Sequence, residues 1–202
     1  ANEVSEYLET DHTETVLDAD SYLEAMLKMI SIKDAPLAVP NEIALHKMSK
    51  ILKRDISVVL SGEGADELFG GYGRIFRSAY DFERMSNGPV NSSILRDNLK
   101  NKYKTLEITS ELDHFLNQYS YISKEEKKTL FSDLILNSLE GDLENKRFFE
   151  PMWGNLNGLN LTEKIMWIFQ KVHLEGLLGR LDSSTMSASV EGRVPFVDHR
   201  LI

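Results

Sequence analysis

The sequence predicts a helix-rich α/β fold, with a small α/β portion over 1–72 and a mainly helical portion over 73–202. Three observations predict it. The β-branched run Ile56–Leu60 follows a helix-periodic segment, and a strand after a helix points to a parallel sheet buried on both faces. That run breaks into Ser61-Gly62-Glu63-Gly64-Ala65-Asp66-Glu67-Leu68-Phe69-Gly70-Gly71, a glycine-rich turn that opens a helix. Beyond Tyr72 the apolar residues recur at helical spacing, with few strand runs.

Taken in order, Val4–Val16 mixes β-formers with acids and predicts one or two strands. Asp20 is placed to cap a helix over 21–31, where Leu23, Met26, Leu27 and Ile30 fall at helical spacing. Pro36 and Pro40 bracket a loop. Asn41 then caps a helix to about residue 53 with Ile43, Ala44, Met48, Ile51 and Leu52 on its apolar side. After the glycine-rich turn, Asn87-Gly88-Pro89 is a break, and Ser123-Lys124-Glu125-Glu126 has the pattern of a capping box. Gly141, Pro151 and Gly154–Gly158 mark loops. Asn160-Leu161-Thr162-Glu163 starts a long helix to about residue 178, with Ile165, Ile168, Phe169, Val172 and Leu177 inward. Residues 186–202 are polar and turn-rich, punctuated by Pro195.

Composition narrows the function classes. The chain has 202 residues, 42% hydrophobic and 27% charged, the make-up of a globular domain. A net charge of −9 argues against a nucleic-acid surface, which needs a basic face. It leaves room for a small anionic substrate, because a local site can oppose the global charge. The chain has no cysteine, so disulfides, thiolate nucleophiles and Cys-based metal sites are excluded within it. No apolar run approaches the roughly 20 residues that span a bilayer. Ala1-Asn2-Glu3 opens an acidic segment rather than a secretory signal, and the expected location is cytoplasmic. An opening Ala in place of Met, and too few strands to close the edges of a sheet, give the expectation of an internal piece of a longer protein.

The glycine-rich turn carries three carboxylates and no lysine. It matches no Walker loop. Glu67 stands where the dinucleotide fingerprint has its third glycine, and Val59 where a nucleophile elbow has its first. Gly62 and Gly64 still let a ligand approach the backbone closely, and free amides at a helix start favour an anion. Carboxylates beside a polyphosphate would repel it unless a divalent cation lies between. Magnesium uses one or two carboxylates together with substrate phosphates, which makes Asp66 the candidate metal ligand. Glu63, at the crest of the turn, is placed for substrate contact or proton transfer. A plain capped helix accounts for the same residues from spacing alone, with Ser61 as N-cap, acids in the first turn and Gly70-Gly71 as C-cap.

The wording is more specific than the spacing. Ser61 to Tyr72 closely resembles the second signature of the asparagine synthetase family, and Met186-Ser187-Ala188-Ser189-Val190-Glu191-Gly192-Arg193-Val194-Pro195-Phe196-Val197-Asp198 is similar to its Met-x-x-x-x-Glu-x-Arg-Val-Pro-Phe-Leu-Asp segment. Asp34-Ala35-Pro36 and the helix behind it are also similar, whereas 78–156 match weakly. The resemblance implies an ATP-dependent ligase and amidotransferase that adenylates aspartate and transfers ammonia from glutamine to form asparagine. It implies a twisted parallel sheet flanked by helices, similar to the adenine-nucleotide α-hydrolases. Carried over residue by residue, Leu60, Ser61 and Gly62 contact the nucleotide, and Asp66 helps hold Mg²⁺ and pyrophosphate. Glu63 sits at the reacting centre, and Gly64, Asp182, Glu191 and Arg193 support the substrate side. A homodimer is compatible with this reading; nucleic acid and membrane are not expected partners.

The family's Ser-Gly-Gly-x-Asp-Ser pyrophosphate loop, the lysine beyond its Arg-Val-Pro-Phe segment and the catalytic Cys of its N-terminal glutaminase domain do not occur in these residues. The isolated chain is therefore expected to be inactive. Two other readings stay open: a relative that amidates another carboxylate or closes a lactam, and a helical interaction module without catalysis. Arg180-Leu181-Asp182-Ser183-Ser184 offers groups of both signs to a zwitterion, and a capped helix end explains it nearly as well. The five histidines show no metal spacing, and Trp153 and Trp167 read as core anchors.

Overall fold

The computed structural model describes residues 2–87, 93–103, 110–139 and 143–201. The elements run α1 (Asn2–Tyr7), α2 (Ala19–Lys33), α3 (Glu42–Leu52), β1 (Val58–Leu60), α4 (Ala65–Phe69), α5 (Gly73–Asn87), α6 (Ser93–Tyr103), α7 (Glu111–Tyr119), α8 (Lys124–Leu130), α9 (Asp133–Ser138), α10 (Leu143–Gly154) and α11 (Leu161–Ile168). A π-helical turn, Phe169–His173, leads into α12 (Leu174–Met186), and β2 (Glu191–Arg193) and a 3₁₀ turn over Pro195–Val197 follow. The chain divides into two compact units, Ala1–Gly64 with Glu175–Ile202, and Ala65–Leu174.

In the first unit, β1 and β2 form a parallel pair with Val58 opposite Glu191 and Leu60 opposite Arg193. The parallel sheet expected from a strand after a helix is therefore present. Its burial is not as expected: the strand is three residues long, with Val58 41% and Leu60 69% exposed. Burial on both faces needs a layer on each side, and these two side chains are only partly covered. The N-terminal strands are also absent. Residues 2–7 form α1 and 10–18 have no regular structure, because β-formers spaced by acids offer no apolar face for pairing.

Helix α2 starts two residues earlier than expected. Asp18 caps it, accepting from the Ser21 amide at 2.8 Å. Leu23, Leu27 and Ile30 face solvent, while Met29 is buried, and α2 packs against α3. Asn41 precedes α3 without making a side-chain cap. The buried stripe of α3 is Glu42, Ile43, His46 and Ser49, and Met48 is exposed. Glu42 belongs there because Lys33 Nζ donates to it at 2.6 Å and the Ala38 amide at 2.7 Å. Burial pushes its carboxyl up, but Lys33 and the amides of Ala38 and Val39 outweigh that and hold it below the ordinary value.

The second unit is helical. Its core joins Ala79 of α5, Leu112 and Phe115 of α7, Phe149 and Trp153 of α10, and Leu161, Ile165 and Ile168 of α11 with Phe169. Trp153 is thus a core anchor, and Trp167 packs against the same cluster. Both expected capping boxes form, Ser123 with Glu126 and Asn160 with Glu163. The helix from Asn160 runs on through the π turn to Met186, past the expected end. Pro151 lies inside α10 and not in a loop; Phe149 and Trp153, buried on either side of it, hold the helix together by packing. Asn87 ends α5, and Gly88, Pro89 and Gly141 lie outside the described residues. Among the described residues no helix is long and apolar enough to cross a membrane.

Phe115 is fully buried at the centre of this core, stacked on Tyr119 at 5.1 Å and against Trp153 at 5.3 Å. Phe115→Ala is expected to lower stability by about 3–5 kcal/mol in denaturant unfolding followed by Trp fluorescence. Leu134→Ala, at an exposed position, is expected to stay within about 0.5 kcal/mol of the parent.

Candidate functional site

The site is built from the end of β1. Leu60 closes the strand, and the Ser61 amide donates to the Arg193 carbonyl at 2.8 Å, extending the ladder by one bond. The chain then turns. Ser61 Oγ accepts from the Glu63 amide at 3.3 Å, a local bond of the kind that serine uses to stabilise turns. It does not cap a helix, since α4 starts only at Ala65. Gly62 is exposed, and a Cβ there would meet nothing within 4 Å. Gly64 is buried with φ +93°, a conformation that glycine takes without cost. The requirement for glycine therefore falls on Gly64, while Gly62 leaves open space beside the backbone.

The three carboxylates of the turn have different surroundings. Glu63 is ion-paired with the Arg180 guanidinium of α12. The Arg180 side chain is 10% exposed and that of Glu63 19%, so both charges are largely withdrawn from water. A second Arg180 nitrogen donates to Asn41 Oδ1 at 3.3 Å, and its buried Nε has no hydrogen-bond partner among the described residues. Asp66 belongs to the second unit and is exposed. Its carboxylate lies where a side chain on Gly71 would stand, since a Cβ there would be 1.8 Å from Oδ1. Glu67 is buried and accepts from the Tyr72 hydroxyl.

The supporting residues sit on β2 and α12. Glu191 pairs across from Val58, and its amide donates to the Ser57 carbonyl at 2.8 Å. Its carboxylate accepts from Arg193 Nε at 2.8 Å, and both side chains are exposed, so this pair contributes little to stability. Gly192 between them is closely packed: a Cβ would stand 3.2 Å from Thr185 Oγ1 and 3.3 Å from Leu181 Cγ. Asp182 is exposed on α12. The structure thus brings together Leu60, Ser61, Gly62, Glu63, Gly64 and Arg193 around one strand end, with Glu191 at the start of β2 opposite Val58. It adds Arg180, two residues before Asp182, as the group touching Glu63. The sequence offered a signal for Arg180 in the mixed-charge stretch 180–184, but nothing local pairs it with a residue 117 positions away.

The end of α12 is anchored to α3. His46 Nδ1 lies 2.5 Å from Ser187 Oγ, and Ser187 Oγ donates to the Ser184 carbonyl at 2.6 Å. His46 is buried, and burial, with Lys50 and Lys28 adding repulsion, holds its pKa below the ordinary 6.5.

Comparison with known proteins places the chain in a family. The family model described as asparagine synthase matches residues 1–202. The chain is 29% identical to asparagine synthetase (glutamine-hydrolyzing) 1 of Bacillus subtilis, over 98% of this chain and 32% of the relative. It is 28% identical to a putative asparagine synthetase (glutamine-hydrolyzing) of Mycobacterium tuberculosis, over 93% of this chain and 29% of that one. It therefore spans about a third of the length of these curated relatives. No solved structure matches the chain.

The His46 anchor makes a pH prediction. An imidazole whose folded pKa is lowered leaves stability complete above about 6.5 and lost as pH falls through that value, because the unfolded chain then binds the extra proton. Between about pH 7 and about pH 5, the parent is expected to lose more stability than His46→Gln in denaturant titrations; equal losses would remove His46 as the cause. With the family match extending over every residue, the protein belongs to the asparagine synthase family.

Proposed function

We propose that this chain supplies the acyl-transfer side of an ATP-dependent asparagine synthetase that is glutamine-hydrolysing at its full length. The observation that carries the reading is the Glu63 carboxylate held by Arg180 at the mouth of the turn after β1. In the proposed reaction an aspartate side-chain carboxylate attacks the α-phosphorus of ATP and releases pyrophosphate. Ammonia then attacks the acyl-adenylate and AMP leaves. Glu63 takes the proton released from nitrogen, a role that requires a carboxylate within hydrogen-bond reach of the attacking group. Leu60, Ser61 and the open backbone at Gly62 receive the nucleotide, and Asp182, Glu191 and Arg193 line or brace the substrate side. The sheet is proposed to belong to a doubly flanked layer like that of the adenine-nucleotide α-hydrolases.

Asp66 is the proposed magnesium ligand. Among the described residues no three His, Cys, Asp or Glu side chains gather to hold a metal. The exposed Asp66 carboxylate suits a cation that would arrive on nucleotide phosphates and take one protein carboxylate; when bound it would neutralise phosphate charge. Gly71 leaves the space that lets this carboxylate lie over the end of α4. By itself the 202-residue chain is proposed not to form asparagine, since the pyrophosphate loop and the lysine that the family resemblance implies do not occur in these residues.

In a protein of the relatives' length, Glu63→Gln is expected to lower asparagine formation by about 10²–10⁴-fold, the usual weight of a general base. ATP–pyrophosphate exchange with aspartate should continue. Wild-type asparagine formation by this variant, with its fold intact, would refute the role.

A further inference from the structure

The helical unit contains a cleft of about 750 Å³, within the range of small-molecule sites. Every residue lining it belongs to Ala65–Leu174. Its walls are aromatic. Tyr72, Tyr119, Phe149 and Phe169 all line it, with Tyr72 and Phe169 at 4.8 Å and Tyr119 and Phe169 at 5.6 Å between ring centroids. One wall is the π-helical turn, where the Leu174 amide donates to the Phe169 carbonyl five residues back. Such a turn places an extra residue in a helix and recurs at functional sites. Tyr119 is fixed by a 3.1 Å hydrogen bond to His173 Nδ1. Arg74, exposed, and Lys127 also line the cleft.

Gln118 gives the cleft its chemical character. It is 5% exposed and lines the same space, yet neither its Nε2 nor its Oε1 has a hydrogen-bond partner among the described residues. Burying both polar atoms of an amide unpaired is costly, and a group left so in a native fold requires an explanation. A carboxamide offers one donor and one acceptor side by side. That edge complements a ring carrying an adjacent acceptor and donor, the way glutamine reads adenine. Flat aromatic walls stack such a ring, and Arg74 and Lys127 suit an anionic tail.

We propose that the Gln118 cleft is a ligand site for a planar heteroaromatic ring with a donor–acceptor edge and an anionic tail, the chemistry of a nucleoside monophosphate. Gln118 rotates to pair with the ring edge, the ring lies against the aromatic wall of Tyr72, Tyr119 and Phe169, and the basic side chains meet the phosphate. The site lies wholly in the second unit and does not rest on the reading of the glycine-rich turn.

The test titrates AMP, adenosine and inorganic phosphate, without magnesium, into the ¹⁵N-labelled 202-residue chain. The Gln118 side-chain NH₂ pair, assigned by its loss in Gln118→Met, is the direct reporter. AMP is expected to shift that pair and the Tyr119 and Ser120 amides saturably, adenosine more weakly, and phosphate not at all. Gln118→Met is expected to weaken AMP by at least about tenfold, the loss of a buried hydrogen-bonded edge. If that variant does not fold, Ser120→Trp, at an exposed cleft position, should weaken AMP as much by filling the space. AMP shifts confined to residues 60–63, phosphate acting as strongly as AMP, or unchanged affinity in the folded variant would each overturn the proposal.

Discussion

The Glu63–Arg180 ion pair is the constraint on which the arrangement of the strand end depends. It joins the turn after β1 to α12, two segments 117 residues apart in sequence. Both side chains are largely withdrawn from water. Such a pair adds little net stability, because the desolvation of two charges offsets their attraction. Its value is positional: a carboxylate with a guanidinium against it has far fewer orientations than one in solvent. The surrounding details serve that position. Gly64 takes the left-handed conformation that turns the chain. The Ser61 amide stays on the β2 ladder. Gly192 lets β2 approach Leu181 and Thr185 closely enough for α12 to sit beside the strand pair.

Three carboxylates fall within five residues of the turn. In the fold their environments separate them. Glu63 has a cation, Glu67 is buried under a tyrosine hydroxyl, and Asp66 stays exposed over Gly71. Only an exposed carboxylate keeps lone pairs available for a cation brought in by a nucleotide. The lack of a lysine in the turn fits the proposed site, in which phosphates are met through a metal and backbone amides.

Much of this was legible in the sequence, and the limits are physical. The capping boxes at Ser123 and Asn160 were readable because every group involved lies within four residues. The strand at Val58–Leu60 and its parallel setting followed from β-branching and element order, whereas its partner Glu191–Arg193 lies in a stretch that reads as polar turns. The long signatures around Ser61 and Arg193 carried the family. What failed depended on packing. Leu23, Leu27 and Ile30 have helical spacing yet face solvent, since spacing does not say which side of a helix meets a neighbour. Pro151 marks a loop by propensity but sits in a helix fixed by Phe149 and Trp153. Val4–Val16 favours strands locally and has no partner to pair with. Arg180 was hidden for the same reason: its role is set by a residue far along the chain.

The most direct test of the account is a double-mutant cycle on Glu63 and Arg180 in a protein of the relatives' length, reading the turnover of asparagine formation. If Arg180 acts by placing the Glu63 carboxylate, Arg180→Met should cost turnover when Glu63 is present and almost nothing once Glu63 is Gln. Losses that simply add, with Arg180→Met costing the same in either background, would contradict it.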